Sequence, residues 1–365
     1  MNNGCRLNEI SWEAFGALDV TKKAPYLSQD HREYHVLVAQ QFTRQRLEDL
    51  GALATRIRRL SKQEEGMSFL HELLQNQRAM LYFSQPSSRT FLSFCAACQI
   101  LGMKIGEVRD TATSSEFKGE SQEDSVRTFS SYFDLIVMRS QIGGLAERMA
   151  WLLSNTERPV PIINAGSGKD QHPTQALLDI YTLQRSFERR GSIDGKTIVF
   201  VGDLARGRTV RSLAWLLTNY GDVKLLFVAP KELQVGSDIL SLLEAAKVKF
   251  EVMSDFRQAI PLGDAIYMTR IQDEWDSDAG ESGKIDTSQY HFTVDHLRLL
   301  KPDAVIMHPF PRRQEIAVGV DADPRAVYWR QMRNGMWIRT ALIASIFGKE
   351  KLINDHYAWH AQNRW

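Results

Sequence analysis

From Phe42 the chain repeats apolar residues at a spacing of three and four: Leu47, Leu50, Leu53, Ile57 and Leu60. That period marks one face of a helix, and Thr43 stands where a cap belongs. Further along, short runs of consecutive apolar residues recur at 80–83, 134–139, 160–166, 197–203, 223–228, 265–268 and 304–308. Unbroken runs of this length suit strands covered on both faces. Helix-spaced stretches, such as 174–185 and 209–219, lie between them. Continuous strands alternating with helices predict an α/β protein with parallel sheets. No internal repeat or low-complexity segment interrupts the pattern.

Length turns this into two domains rather than one, because 365 residues exceed what a single core usually serves. The formal net charge of +1 gives no case for a general nucleic-acid-binding surface. Residues 1–12 lack the apolar core of a signal peptide, and no apolar run approaches the ~20 residues that span a bilayer. Three cysteines are no disulfide framework. Cys95 and Cys98 form a C-x-x-C in an apolar helical stretch with no second pair, and read as core residues rather than as a redox or metal motif. A reducing cytoplasm fits best. Residues 1–34 are polar and aperiodic, and read as an extension outside the core.

Chemistry enters at Pro86-Ser87-Ser88-Arg89-Thr90, between the run at 80–83 and a helical stretch from Phe91. The first turn of a helix offers free backbone N–H groups and a partial positive charge. Two serines, a threonine and an arginine make that end suited to a phosphate. By itself the segment reads equally as a serine cap with a surface arginine. Several other strands also end in polar or charged residues: Arg139, Asp203, Thr269 with Arg270, and His308. In open parallel sheets ligands bind beyond the carboxyl ends of the strands, so these residues are expected to face a cleft. Two glycine-rich stretches are decoys. Residues 202–209 nearly match a nucleotide P-loop, but Arg208 replaces its lysine, and a planar guanidinium does not substitute for a compact ammonium in that nest. Residues 166–169 lack the earlier glycine.

Four more segments complete a set: Ser114-Ser115-Glu116-Phe117-Lys118-Gly119-Glu120, His172-Pro173-Thr174-Gln175, Thr269-Arg270-Ile271-Gln272 and His308-Pro309-Phe310-Pro311. In order and spacing, from about Tyr34 to Ile353, the whole resembles the catalytic chains of aspartate carbamoyltransferases. The resemblance implies the aspartate/ornithine carbamoyltransferase-like fold of two α/β domains. It implies transfer of a carbamoyl group from carbamoyl phosphate to L-aspartate in pyrimidine biosynthesis, with no cofactor and no metal. Ser87, Ser88, Arg89, Thr90 and Arg139 would hold the phosphate, with Ser114 and Lys118 on a loop reaching in from a neighbouring subunit. Thr90, Arg139 and His172 would donate to the carbonyl oxygen, each such donor being worth roughly 2.7–4 kcal/mol in comparable oxyanion sites. Gln175 would hold the carbamoyl NH2, and the backbone carbonyls of Phe310 and Pro311, joined by a cis bond, would contact substrate. Arg208, Arg270 and Gln272, with Lys118, would bind aspartate, since guanidinium groups pair with carboxylates by two parallel bonds. Ornithine enzymes typically carry His-Cys-Leu-Pro at the position of 308–311, which favours aspartate here.

The implied domains are an extension at 1–34, a carbamoyl phosphate-binding domain at 35–171 completed by a helix at 334–353, an aspartate-binding domain at 172–333, and a tail at 354–365. The implied assembly is a homotrimer with shared active sites. Regulatory chains or other pyrimidine-pathway proteins stay open as partners, while nucleic acid and membrane are not expected. Three positions depart from the family pattern. Phe91 stands where an arginine or small polar residue is usual, Cys95 where a glutamate is usual, and Phe310 where a leucine is usual. They leave two other readings: a carbamoyltransferase with a different amine acceptor, and a catalytically silent scaffold.

Overall fold

The computed structural model describes residues 6–30, 32–109, 119–168, 171–273 and 285–364, the side chains of 363 and 364 excepted. The chain divides into two compact units, one of residues 1–177 and 335–365 and one of residues 178–334. The division falls inside a helix, Pro173–Phe187, and not before His172 as read from the sequence, so His172 and Gln175 stay with the first unit.

In the first unit, helix α1 (Arg44–Leu60) is capped by Thr43, whose hydroxyl accepts the Arg46 N–H at 3.4 Å. It buries the leucine and isoleucine face that its period foretold. After α2 (Glu64–Glu72) come β1 (Arg78–Phe83), α3 (Ser88–Ile100), β2 (Lys104–Val108), α4 (Gln122–Tyr132), β3 (Leu135–Ser140), α5 (Leu145–Ser154) and β4 (Ile162–Ser167). The strands form one parallel sheet in the order β2-β1-β3-β4. Strands β3 and β4 are buried along their whole length, and β1 is buried apart from Arg78, as unbroken apolar runs require. The edge strand β2 is half exposed, and its Lys-Ile-Gly-Glu-Val sequence carries no continuous apolar run.

Helix α6 (Pro173–Phe187) leads into the second unit. There β5 (Thr197–Val201), α7 (Arg208–Leu217), β6 (Lys224–Val228), α8 (Ser237–Ala245), β7 (Lys249–Met253), β8 (Ala265–Met268) and β9 (Val305–Met307) follow. They build a second parallel sheet in the order β9-β8-β5-β6-β7. Helix α9 (Tyr328–Ile346) and then α10 (Glu350–Arg364) return the chain to the first unit.

One expectation is corrected. The described part of 1–34 does not lie outside the core. Leu7, Phe15 and Leu27 are fully buried in one cluster with Met80 and Tyr82 of β1, Ile136 and Met138 of β3, and Met149 and Leu153 of α5. The Trp151 indole donates to the Ile10 carbonyl at 2.8 Å, and Lys23 pairs with Glu147 at 2.5 Å. The segment from 354, for which the sequence offers no role, is packed as well. Within α10, Asn354 accepts from Arg56 of α1 at 2.6 Å, and His356 stacks on Phe69 of α2 with ring centroids 3.7 Å apart. Among the described residues no helix is long and apolar enough to cross a membrane.

Candidate active site

Each sheet has one place where the strand order reverses. In the first it lies between β1 and β3, in the second between β5 and β8. Ligands of open parallel sheets bind beyond the carboxyl ends of the strands at such a point, where connections leave to opposite faces and open a crevice. At these four strand ends stand the segment 84–90 and the last two residues of β3, 139–140, in the first unit, and the segments 202–208 and 269–272 in the second. Most of the residues named from the sequence lie on them.

In the first unit, Ser87 occupies the N-cap of α3 with extended backbone, yet its hydroxyl makes no capping bond. The capping explanation of this serine therefore fails, and only its carbonyl is used, accepting the Phe91 N–H at 3.1 Å. Ser88, Arg89 and Thr90 form the first turn, with Thr90 buried and Ser88 and Arg89 exposed. Arg139 is buried near the end of β3. Its carbonyl accepts the Ser84 hydroxyl at 3.2 Å and the Gln85 N–H at 3.3 Å, which fixes the loop leading to Ser87. Its guanidinium donates to the Ala165 carbonyl on β4 at 3.1 Å. His172, 3% exposed, immediately precedes α6, and its carbonyl accepts the Gln175 N–H at 3.0 Å.

A residue with no local sequence signal supports this group. Arg339 of α9, buried, donates to the Ser93 hydroxyl on α3 at 2.7 Å and to the Thr174 hydroxyl on α6 at 3.4 Å. It thus ties together the two helices whose N-terminal ends carry 87–90 and 172–175. Ser114 and Lys118 lie outside the described residues.

In the second unit the 202–209 loop closes on its own acid. Asp203, fully buried, accepts the Arg206 N–H at 3.1 Å through Oδ1 and the Gln272 N–H at 3.0 Å through Oδ2. A carboxylate on the loop's own N–H is the opposite of a phosphate nest. Gly202, at φ +112°, is required here, because a Cβ would come within 2.3 Å of the Thr269 carbonyl. Arg206 also donates to the Gln272 carbonyl at 3.3 Å. Arg208 starts α7 half-buried. Arg270 donates to the Ile271 carbonyl at 2.7 Å and lies 3.6 Å from Asp273, which a second arginine, Arg313, holds at 2.8 Å. The acceptor candidates Arg208, Arg270 and Gln272 thus lie on two loops joined by Asp203.

Not every strand-end residue faces outward as expected. Asp203, Thr269 and His308 are turned into the protein. His308 Nδ1 accepts the Phe310 N–H at 2.8 Å, so its Nε2 carries the hydrogen and donates to Glu315 at 2.7 Å. Burial pushes the Glu315 carboxyl up, but the hydrogen bonds it accepts from His308 and the Arg313 N–H hold it below the usual range. The His308 N–H is held by Gln331, which also donates to Asp179, which in turn accepts from Tyr267. This buried chain sets the 308–311 turn, in which the Phe310–Pro311 bond is cis and Phe310 has φ +58°. The Phe310 ring packs on Trp329 (4.9 Å between centroids) and Tyr328.

Cys98 is buried, which pushes its thiol up to about 12, whereas Cys95 is half exposed and so only partly a core residue. Among the described residues no group of three or more histidine, cysteine or carboxylate side chains is placed to hold a metal ion.

Comparison with known proteins places both halves. Residues 34–185 match the model of the aspartate/ornithine carbamoyltransferase carbamoyl-P binding domain, and residues 194–346 that of the Asp/Orn binding domain. The chloroplastic aspartate carbamoyltransferase of Arabidopsis thaliana is 40% identical over 312 residues, 84% of this chain and 76% of the relative. The aspartate carbamoyltransferase catalytic subunit of Vibrio cholerae is 42% identical over 279 residues, 76% of this chain and 87% of the relative. Among solved structures, aspartate transcarbamoylase from Trypanosoma cruzi in complex with carbamoyl phosphate and aspartate superposes with a TM-score of 0.77 at 35% identity, covering 85% of this chain and 96% of that one.

Proposed function

Because the chain belongs to the aspartate/ornithine carbamoyltransferase family, we propose that its first unit holds carbamoyl phosphate through Ser87, Ser88, Arg89, Thr90, Arg139, His172 and Gln175, and that Arg208, Arg270 and Gln272 of the second read the acceptor. The chain is an enzyme of the aspartate carbamoyltransferase type, transferring the carbamoyl group of carbamoyl phosphate to L-aspartate. The observation that carries the residue assignment is the topology. The phosphate-suited helix end and Arg139 leave the first sheet where its order reverses, and the two acceptor loops leave the second sheet where its order reverses.

The chemistry asks three things of these residues. The amine nitrogen of aspartate attacks the carbonyl carbon, a C–N bond forms, and the C–O bond to phosphate breaks with its electron pair leaving on phosphate. Negative charge gathers on the carbonyl oxygen on the way, so fixed donors there lower the barrier. Thr90, Arg139 and His172 fill that role, with the histidine acting as a donor and the departing phosphate taking the amine's proton. Guanidinium groups and first-turn N–H groups stabilise the leaving dianion. On the acceptor side Arg208 and Arg270 pair with the two carboxylates.

The reading further expects a cytoplasmic homotrimer in which Ser114 and Lys118 of one chain complete the phosphate site of the next, with Phe310 and Pro311 presenting their carbonyls to substrate. The test is a carbamoyl-transfer assay with aspartate, with ornithine and with buffer alone. Product with aspartate only is expected. Product with ornithine would reassign the acceptor, and none with either would make the chain a scaffold.

A further inference from the structure

We propose that Arg109 is an additional phosphate-binding residue of this enzyme, held in position by the ring of Phe91; the proposal rests on the reading of 87–90 as the phosphate loop. Strands β1 and β2 run parallel with Tyr82 opposite Val108. The residue after β2, Arg109, therefore emerges beside the loop that leaves β1. A cavity of about 180 Å³ lies there, lined by Phe83, Pro86, Ser87, Ser88, Phe91 and Arg109. That is room for a phosphoryl group.

The two sides of this cavity suit an anion. On one are Ser87 and Ser88, the first with a hydroxyl not spent on capping, at the positive end of a helix of more than three turns. On the other is the Arg109 guanidinium, its carbon 4.3 Å from the centre of the Phe91 ring. Phe91 is itself fixed, 3% exposed and edge-on to Phe83 at 5.4 Å. Stacking occupies one face of the guanidinium and leaves its in-plane N–H groups to reach an oxygen. Among the described residues Arg109 makes no ion pair.

This gives a physical reason for one departure from the family pattern. Position 91 usually carries an arginine or a small polar residue, and here it carries phenylalanine. The helix supplies the flat surface, and the cation comes instead from the neighbouring strand end. Arg109 is exposed, so water and salt screen it and its contribution is smaller than that of a buried donor.

The experiment measures KM for carbamoyl phosphate, the inhibition constant of inorganic phosphate and KM for aspartate in Arg109→Gln, Arg109→Lys and Arg89→Ala, with thermal melts of each. Arg109→Gln is expected to raise the two phosphate constants together by about threefold to tenfold, as for a partly screened ion pair. Its KM for aspartate and its melting temperature should stay parental, and Arg109→Lys should fall between. The added salt dependence of phosphate inhibition should shrink in Arg109→Gln. As a rescue, the double variant Phe91→Arg, Arg109→Ser returns a cation from the helix side and is expected to recover most of the loss. Parental phosphate constants in Arg109→Gln beside large losses in Arg89→Ala would overturn the proposal and leave the phosphate loop standing. Unchanged phosphate constants in both variants would overturn the loop reading itself. A lowered melting temperature with equal damage to both substrates would make Arg109 structural and also overturn the proposal.

Discussion

Asp203 Oδ2 accepts the Gln272 backbone N–H at 3.0 Å while Oδ1 of the same carboxylate accepts that of Arg206 at 3.1 Å. One fully buried acid therefore sets the spacing of the two loops that carry Arg208, Arg270 and Gln272. Replacing it by asparagine keeps the volume but turns an NH2 toward one of these N–H donors. Hydrogen bonds to charged groups contribute about 1.5–3 kcal/mol, so Asp203→Asn should lower kcat/KM for aspartate by roughly ten- to a hundredfold. Binding of carbamoyl phosphate alone, read by calorimetry, should stay parental. Equal loss on both sides would show that Asp203 supports the fold and not the acceptor loops.

The two arginine groups should separate in kinetics. Arg89 lies in the first turn of α3 and Arg270 in the loop after β8. Arg89→Ala should lose most activity, with KM for carbamoyl phosphate rising or kcat collapsing. Arg270→Ala should raise KM for aspartate by about ten- to a hundredfold and leave that for carbamoyl phosphate near parental. A crossed result, with Arg270→Ala acting on carbamoyl phosphate, would exchange the roles of the two units.

Much of this arrangement is legible in the sequence, for a definite reason. The covered strands β1, β3, β5, β6 and β8 each carry four or five consecutive apolar residues because both faces are buried, so their runs stand out. The edge strands β2 and β7 do not stand out. Lys-Ile-Gly-Glu-Val and Lys-Phe-Glu-Val-Met face solvent on one side and break the run. The buried role of Leu7, Phe15 and Leu27 was hidden for another reason. They are too far apart for any period, and only the tertiary fold brings them to β1 and α5. Among polar strand ends, residue type alone does not separate Arg139, whose carbonyl holds the 84–85 loop, from His308, which turns inward to build the 308–311 turn. Arg339 has no signal at all, since its partners Ser93 and Thr174 lie far away in the chain.

Acid should destabilise the first unit in a window set by His35. This side chain is fully buried, which pushes its pKa down from 6.5 to about 3. Its Nδ1 accepts the Ile162 N–H at 3.1 Å and its Nε2 meets the Ser154 hydroxyl at 3.0 Å, so the folded state needs it neutral. The unfolded chain takes up the proton near pH 6.5 and the folded chain does not. Stability present above pH 6.5 is therefore lost as pH falls from there toward 3, on the order of 1–2 kcal/mol by pH 5. Glu315, whose folded pKa is depressed below 4.5, adds a loss only below that value. Urea midpoints between pH 7 and 5 should fall in the parent and much less in His35→Gln. An equal slope in both proteins would assign the acid sensitivity elsewhere.

The shared-site assembly is tested by complementation. Lys118 sits in a polar stretch, Ser114-Ser115-Glu116-Phe117-Lys118-Gly119-Glu120, that is poor in core residues and suited to reaching away from its own domain. If its lysine serves the neighbouring chain's phosphate site, each site of a cyclic trimer is made at an interface. Lys118→Ala and His172→Ala should then each be inactive as a pure protein. Mixed, dissociated and reassembled, they form hybrids in which just one interface joins an intact loop to an intact pocket. Each hybrid should recover about a third of the parental activity, because one interface in three is complete. Native mass measurement establishes that hybrids have formed. Activity that stays absent in verified hybrids would mean that each loop serves its own chain.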